Sequence, residues 1–210
     1  MADDDPRTRI LDAAELAIAE RGKAGARVAA IAEAAGVNKA MLYYYFGSKD
    51  DLYAAVLERV LGQVEELAST ALSDAGSGPL ERLEAFMDGY RAVLVAHPNF
   101  ARVMVREILD GGAFVGKLFR ERIGPLMPMA AMTMEQARRA GQFNEALQMP
   151  MVGPVMVSPF IFYAFAKPIL SEVFGPLTDD FADTYHRTAK EVLFNGLRAR
   201  GPAEPTEEAP

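Results

Sequence analysis

Apolar residues recur along most of the chain at the three- and four-residue intervals of an α-helix. Ile10, Leu11, Ala14, Ala17 and Ile18 form one stripe, which Gly22 can stop. A shorter segment runs from Val28 to Ala35 and closes at Gly36. Asn38, a side chain suited to accept from a first-turn amide, opens a third segment through Phe46, and Gly47 ends it. Ser48-Lys49-Asp50-Asp51 has the form of a capping box, with Asp where Glu or Gln is usual. The long helix that it starts carries Leu52, Val56, Val60, Val64, Leu67 and Ala71 on one face. Asp74 to Gly78 reads as a turn-forming linker.

Beyond the linker, Pro79 suits a first helical turn, and Leu83, Phe86, Met87, Tyr90 and Leu94 keep the helical period. His97-Pro98 breaks that helix; another runs from Phe100 to Leu109 and closes at Gly111-Gly112. Leu126 to Ala140 is helical, with an approach from Phe114 disturbed at Pro125 and Pro128. An apolar helix follows from Met151, and Thr178-Asp179-Asp180 caps a last one. Phe181, Tyr185, Thr188 and Val192 share a face of that helix, and Gly201-Pro202 is its predicted stop. Residues 201–210 read as a disordered acidic tail. With no strand pattern and no internal repeat, the predicted fold class is all-α.

Composition narrows the function. Half of the 210 residues are hydrophobic and 24% are charged, which excludes a mostly disordered chain. The absence of Cys removes disulfides, thiolate zinc sites and cysteine nucleophiles, and two histidines, His97 and His186, do not make a His-rich metal site. No nucleophile–base pair, HExxH-like spacing or phosphate-cradling glycine loop occurs, so neither an enzyme nor a cofactor is predicted. A net charge of −7 excludes a protein that coats nucleic acid through bulk charge. It does not exclude a local basic face: Arg7 to Arg59 holds eight Lys/Arg against seven Asp/Glu. The acidic opening Met1-Ala2-Asp3-Asp4-Asp5-Pro6 lacks the basic and then apolar order of a signal peptide, which predicts a cytoplasmic protein. Met149 to Leu170 is long enough for a bilayer and carries one charge, Lys167. Pro150, Gly153, Pro154, Pro159 and Pro168 inside it, and no flanking Lys/Arg cluster, favour a helix in a protein interface over a membrane span.

The segment around Gly36 carries the chemistry. Ala32-x-x-x-Gly36 puts a small residue where two short helices cross and a glycine at their turn, with Val37 wedged between them. In the second of these helices Leu42 and Phe46 can be buried. Lys39, Ala40, Met41, Tyr43, Tyr44 and part of Tyr45 are then left outward. Lys and Tyr donate to phosphates, while Met and Ala can touch thymine methyls. The tyrosines also suit the rim of an ordinary helical core; the Gly36 turn and the Ser48 cap favour a helix-turn-helix.

Thr8 to Val60, and most specifically IAEAAGVNKAMLYYYFGSKDDL, resembles the DNA-binding domain of the TetR family of transcriptional repressors. The resemblance implies a three-helix DNA-binding head joined by a fourth helix to a helical body that binds ligand and dimerises. It implies further that Tyr43 and Lys49 hold operator phosphates, and that Lys39, Ala40, Met41 and Tyr44 line the base-reading surface, where Asn38 also falls. Three positions depart from the family pattern. Arg27 stands where Thr or Ser usually caps and holds a phosphate, Tyr45 replaces the commoner His, and Met41 the commoner Thr.

Residues 1–47 are thus predicted to form the DNA-binding domain and 48–200 the ligand-binding and dimerisation domain, with 48–73 as the connecting helix. His97 to Glu107 also resembles a segment common in the family. Met87, Tyr90, Met104, Phe119, Met127, Phe160 and Tyr163 are candidates to line an apolar cavity beside the connecting helix, with Arg106 anchoring a polar group. His97 reads as a helix-end cap and His186 as surface or interface. The partners expected are a palindromic double-stranded DNA operator, a small and largely apolar effector, and a second copy of the chain through the last two helices. The alternative is a helical ligand-binding or adaptor protein without DNA-dependent function; an adaptor binding proteins alone leaves Tyr43 and Lys49 unexplained.

Overall fold

The computed structural model describes residues 5–198, so the predicted Gly201-Pro202 stop and acidic tail lie outside the described residues. The architecture is all-α, as predicted. Four helices begin the chain: α1 (Pro6–Gly25), α2 (Val28–Ala34), α3 (Lys39–Phe46) and α4 (Lys49–Ser73). Asp5 caps α1 by accepting from the Arg7 amide at 3.1 Å. Gly22 breaks the helical backbone inside α1, with φ 70° and ψ 171°, a conformation that glycine adopts without steric cost. Ile10, Leu11, Ala14, Ile18, Ile31, Leu42, Leu52 and Val56 make the core of this head.

The body comprises α5 (Pro79–Ala96), α6 (Phe100–Leu109), α7 (Ala113–Leu118), α8 (Met127–Arg139), α9 (Met149–Phe174) and α10 (Asp179–Leu197). Between α7 and α8 a π-type turn (Phe119–Ile123) and a 3-10 turn (Gly124–Leu126) replace the α-helical ladder, where Pro125 and Pro128 withhold their amides. The predicted stripe of α4 runs from head to body: Leu52, Val56, Val60, Val64 and Ala71 are buried and Leu67 half-buried. α5 lies close against it. A Cβ on Gly89 would stand 2.2 Å from Leu67 Cδ1 and 3.1 Å from its Cγ.

Two expectations about the last helices need correction. The buried side of α10 is His186, Phe194 and Leu197 with half-buried Leu193, whereas Thr188 and Val192 are exposed, Val192 at 67%. The predicted stripe lies one residue away around the helix. Apolar residues occupy both sides, and periodicity alone does not say which one faces this chain's own core. α10 also ends at Leu197, before the predicted stop. The Asn144 amide donates to Leu197 O at 2.8 Å and the Asn144 side chain to Gly196 O at 3.1 Å, so the loop before α9 takes up the final carbonyls.

Helix α9 continues through Pro154, Pro159 and Pro168 and is long and apolar enough to cross a membrane. One face, Val152, Met156, Phe160, Tyr163 and Ala166, is buried in the body. The other, including Met151, Val155, Phe162, Ile169 and Val173, is apolar and exposed.

The Gly89 contact yields a test. Gly89→Ala gains about 1 kcal/mol of helix propensity but overpacks Leu67, at a cost of about 1–3 kcal/mol. The variant is expected to unfold at a lower temperature. In a Leu67→Ala background the same change should raise the melting temperature. A stabilised single variant would show that α4 and α5 are not in close contact there.

Candidate nucleic-acid interface and effector cleft

Local sequence fixes the recognition element before any ligand arrives. Asn38 Oδ1 accepts from the Met41 amide at 2.8 Å and starts α3. Gly36 turns the chain at φ 65°, the Val37 amide returns to Ala32 O at 2.9 Å, and Arg9 Nε from α1 donates to Ala35 O at 3.1 Å. The α2–α3 angle is therefore held by α1 as well as by its own turn. Leu42 and Phe46 point inward. Lys39, Ala40, Met41, Tyr43, Tyr44 and Tyr45 are exposed, Tyr44 to 84%. The Tyr44 ring meets the edge of Tyr45 at 5.4 Å, which orients it over the surface.

Arg27 is exposed at the N-cap position of α2 and makes no side-chain cap, as its chemistry requires. Asn38 spends its carbonyl oxygen on the cap, leaving its NH2 toward solvent. Lys49 begins α4 beside the Ser48 cap, whose oxygen accepts from the Asp51 amide at 3.0 Å and whose hydroxyl donates to Asp51 at 2.6 Å. Its ammonium donates to Ala24 O at 3.1 Å, so it bridges α4 to the last turn of α1. The nine predicted DNA-contacting residues thus lie on α3, the starts of α2 and α4, and the turn between α2 and α3.

The head meets the body through two polar clusters. Arg59 on α4 pairs with Asp12 at 2.6 Å and with buried Glu15 at 2.5 Å, both on α1. His97, the C-cap of α5, has Nε2 3.0 Å from Gln63 and Nδ1 3.7 Å from Glu15. In the second cluster Tyr53 donates to Glu107 Oε2 at 2.5 Å, and Glu107 Oε1 accepts from the Phe114 amide at 3.1 Å. Burial and the neighbouring Glu107 carboxylate hold the Tyr53 phenol well above its ordinary pKa, so it remains a donor. Arg106 donates from Nε to Ala19 O and from Nη2 to Glu20 O, both at 3.0 Å. Those carbonyls lose helical partners where Gly22 breaks α1. Arg106, expected as a ligand anchor, clamps α1 in this structure and does not line the cleft between α5, α9 and α10.

The seven apolar ligand candidates also separate. Met87, Tyr90 and Met104 are packed core, and burial pushes the Tyr90 phenol up to about 12. Phe119 and Met127 are 41% and 53% exposed on the π-type turn and the start of α8. Of the seven, Phe160 and Tyr163 line a cleft of about 400 Å³ between α5, α9 and α10. Its rim carries Arg91, Lys167, Asp179 and Asp183, and His186 forms part of its wall. The expected position beside α4 is therefore wrong for this cleft. An open groove of about 300 Å³ does flank α4, but Glu65, Glu66, Ser69 and Thr70 line it and none of the candidates does. Sequence reading missed Arg91 and Asp183, which pair across the cleft from α5 to α10. The signal present was Lys167, the one charge in a long apolar run. His186, expected at a surface or interface, is buried among Phe160, Tyr163 and Tyr185.

Residues 10–56 match the family model of bacterial regulatory proteins, tetR family. The HTH-type transcriptional repressor NicS of Pseudomonas putida is 30% identical over 207 residues, covering 94% of this chain and 92% of that protein. The HTH-type transcriptional repressor SCO4008 of Streptomyces coelicolor is 34% identical over 115 residues, 53% of this chain and 56% of that one. In fold, the chain superposes on the ketosteroid transcriptional regulator KstR2 of Mycobacterium tuberculosis with a TM-score of 0.73, at 19% identity over 92% of this chain and 95% of that one. A head with capped helix-turn-helix, a helical body and a full-length relative at this identity agree: the chain belongs to the TetR family and is a ligand-responsive, DNA-binding transcriptional regulator.

Proposed function

We propose that the protein is a cytoplasmic repressor that binds a palindromic operator as a homodimer and lets go when a small, largely apolar effector occupies the body. It performs no catalysis in this reading. Residues 1–47 serve as the DNA head, 48–73 as the connecting helix, and 48–200 as the effector and dimerisation unit. The observation that carries the reading is the outward face of α3. A capped two-turn helix with a fully buried inner side exposes Lys39, Met41, Tyr43 and Tyr44 together, a costly surface unless a duplex covers it.

Tyr43 and Lys49 act as phosphate holders, with Arg27 and the Asn38 amide beside them, while Lys39, Ala40, Met41, Tyr44 and Tyr45 face base edges. Two copies are needed because one such helix covers too little DNA for tight specific binding, and two-fold symmetry doubles the contacts. The exposed apolar face of α9 with Val192 of α10 supports a four-helix dimer interface. Effector binding reaches the heads through α5, packed on α4 at Gly89–Leu67, and through the Arg106 and Glu107 contacts with α1 and α4. An effector that prefers the released state by about 100-fold supplies about 2.7 kcal/mol per site.

Three measurements test this reading. Lys49→Ala and Tyr43→Phe should weaken binding to all duplex sequences alike, and Lys49→Ala should flatten the slope of log affinity against log salt by about 1. An unchanged slope would remove Lys49 from the interface. Met41→Thr should change the motif recovered by selection from random duplexes more than it changes non-specific affinity, because a methionine favours a thymine methyl without fixing a hydrogen-bond partner. Recovery of the same motif by both proteins would remove Met41 from base reading. Ile169→Asp, on the exposed face of α9, should leave the helical signal intact and give a species of single-chain mass, 22.8 kDa, at micromolar concentration. A dimer that survives this change uses another face.

A further inference from the structure

We propose that the cleft between α5, α9 and α10 binds a small planar aromatic carboxylate, its ring against Phe160 and Tyr163 and its acid group on Arg91 and Lys167. Its role as the effector site rests on the ligand-responsive reading above.

The walls select for a flat ring. The Phe160 ring is stacked on His186 at 5.3 Å and 18°, and Tyr163 stands edge-on to His186 at 4.9 Å. Planar aromatic surfaces gain most from an aromatic guest. His186 contributes a ring and no charge. Its Nδ1 is 2.6 Å from the Ala182 carbonyl, which accepts, and burial lowers its pKa below the ordinary value. A volume of about 400 Å³ suits a molecule of one or two rings, near the lower end of small-molecule pockets.

The charges select for an acid. Asp183 is already paired with Arg91. Asp179 sits in the first turn of α10, where the helix dipole favours a negative charge. Lys167 has no carboxylate within ion-pair distance among the described residues; its ammonium lies 5.5 Å from the centre of the Tyr163 ring. Arg91 Nε is buried and has no hydrogen-bond partner among the described residues. A buried donor without an acceptor is unfavourable, and a guanidinium presents two parallel N–H groups to a carboxylate. On the rim the Asp179 charge is thus favoured by the helix dipole, while Lys167 and Arg91 Nε are unmatched by a protein acceptor among the described residues. A carboxylate matches both, a neutral ring neither, and an ammonium ligand would meet Lys167 and Arg91 as like charges.

The arrangement has a consequence with a definite sign. Arg91–Asp183 ties α5 to α10 together with Lys190–Asp88 at 2.8 Å and Lys190–Glu84 at 3.8 Å, and Arg198, just past α10, reaches Glu84 at 3.4 Å. A ligand acid competes with Asp183 for the guanidinium, so removing the Asp183 charge should tighten ligand binding.

Calorimetric titration of the full chain with 2-naphthoate, 2-naphthamide and 2-naphthylmethylammonium tests the assignment. The carboxylate should bind at least tenfold more tightly than the amide, with the ammonium weakest. Arg91→Gln should cost at least tenfold, exposed Lys167→Gln several-fold, and Asp183→Asn should improve affinity. Equal binding of acid and amide, preference for the ammonium, or weaker binding in Asp183→Asn would overturn the proposal. So would an Arg91→Gln protein that keeps its helical signal and its affinity; should that variant unfold, Lys167→Gln decides, and unchanged affinity there overturns it. Release of selected duplex DNA by 2-naphthoate is measured separately. Binding without release keeps the site and breaks its link to the DNA head.

Discussion

One apolar stripe on α4 holds the molecule together, because it runs the length of a single buried cluster that continues from the head into the body. Leu52 and Val56 are buried with Ile10, Ala14 and Leu42 of the head, and from one turn later onward Val60, Leu61, Val64 and Ala68 continue the same cluster to Leu83, Met87 and Val103 of the body. Burying side chains of this size stabilises by roughly 1.5–3 kcal/mol each relative to exposure, so the core cannot shed the helix cheaply. A helix seated along its length in one continuous core cannot bend in the middle without opening that core. Motion in the body must therefore be delivered to the head as a shift of the whole helix.

The polar contacts around α4 determine which shifts are tolerated. Arg59 ties its middle to Asp12 and Glu15, and Tyr53 ties its first turns to Glu107. Glu15 is buried, so separating it from Arg59 would leave an uncompensated charge, a cost of about 3–5 kcal/mol for a buried pair. That end of α1 moves with α4. The other end of α1 is different. It is broken at Gly22 and completed by Arg106 from the body. Hydrogen bonds from a charged donor are worth about 1.5–3 kcal/mol each, enough to hold the junction and small enough for a ligand to redistribute.

The head was legible in sequence because its determinants are local. Asn38, Gly36, Ser48 and the Leu42–Phe46 pair each act within four residues, and each does in three dimensions what its position predicts. The body was legible as helices and not as a site. Arg106 in an apolar stretch has the sequence signature of a ligand anchor, yet its partners are carbonyls of α1, exposed only because Gly22 breaks a helix far away in the chain. Arg91 and Asp183 give no local sign of pairing. The α10 stripe was misread for the same reason: both sides of that helix are apolar, and which one turns inward is decided by α5 and α9.

The two-sided apolarity of α9 and α10 also bears on how the regulator can work. Met156, Phe160 and Tyr163 face the body while Phe162, Ile169 and Val173, on the same helix, face away from it. With a second copy covering the outer face, α9 would be fixed from outside and the cleft at Phe160 and Tyr163 would have one immobile wall. A ligand there would then displace the opposite wall, α5, whose Gly89 leaves no slack against Leu67 of α4. Half-sites one helical turn apart require the two recognition helices to stand about 34–36 Å apart. In such a dimer a small rotation of each α4 about the seam, multiplied by its length, would spoil that spacing without unfolding the core.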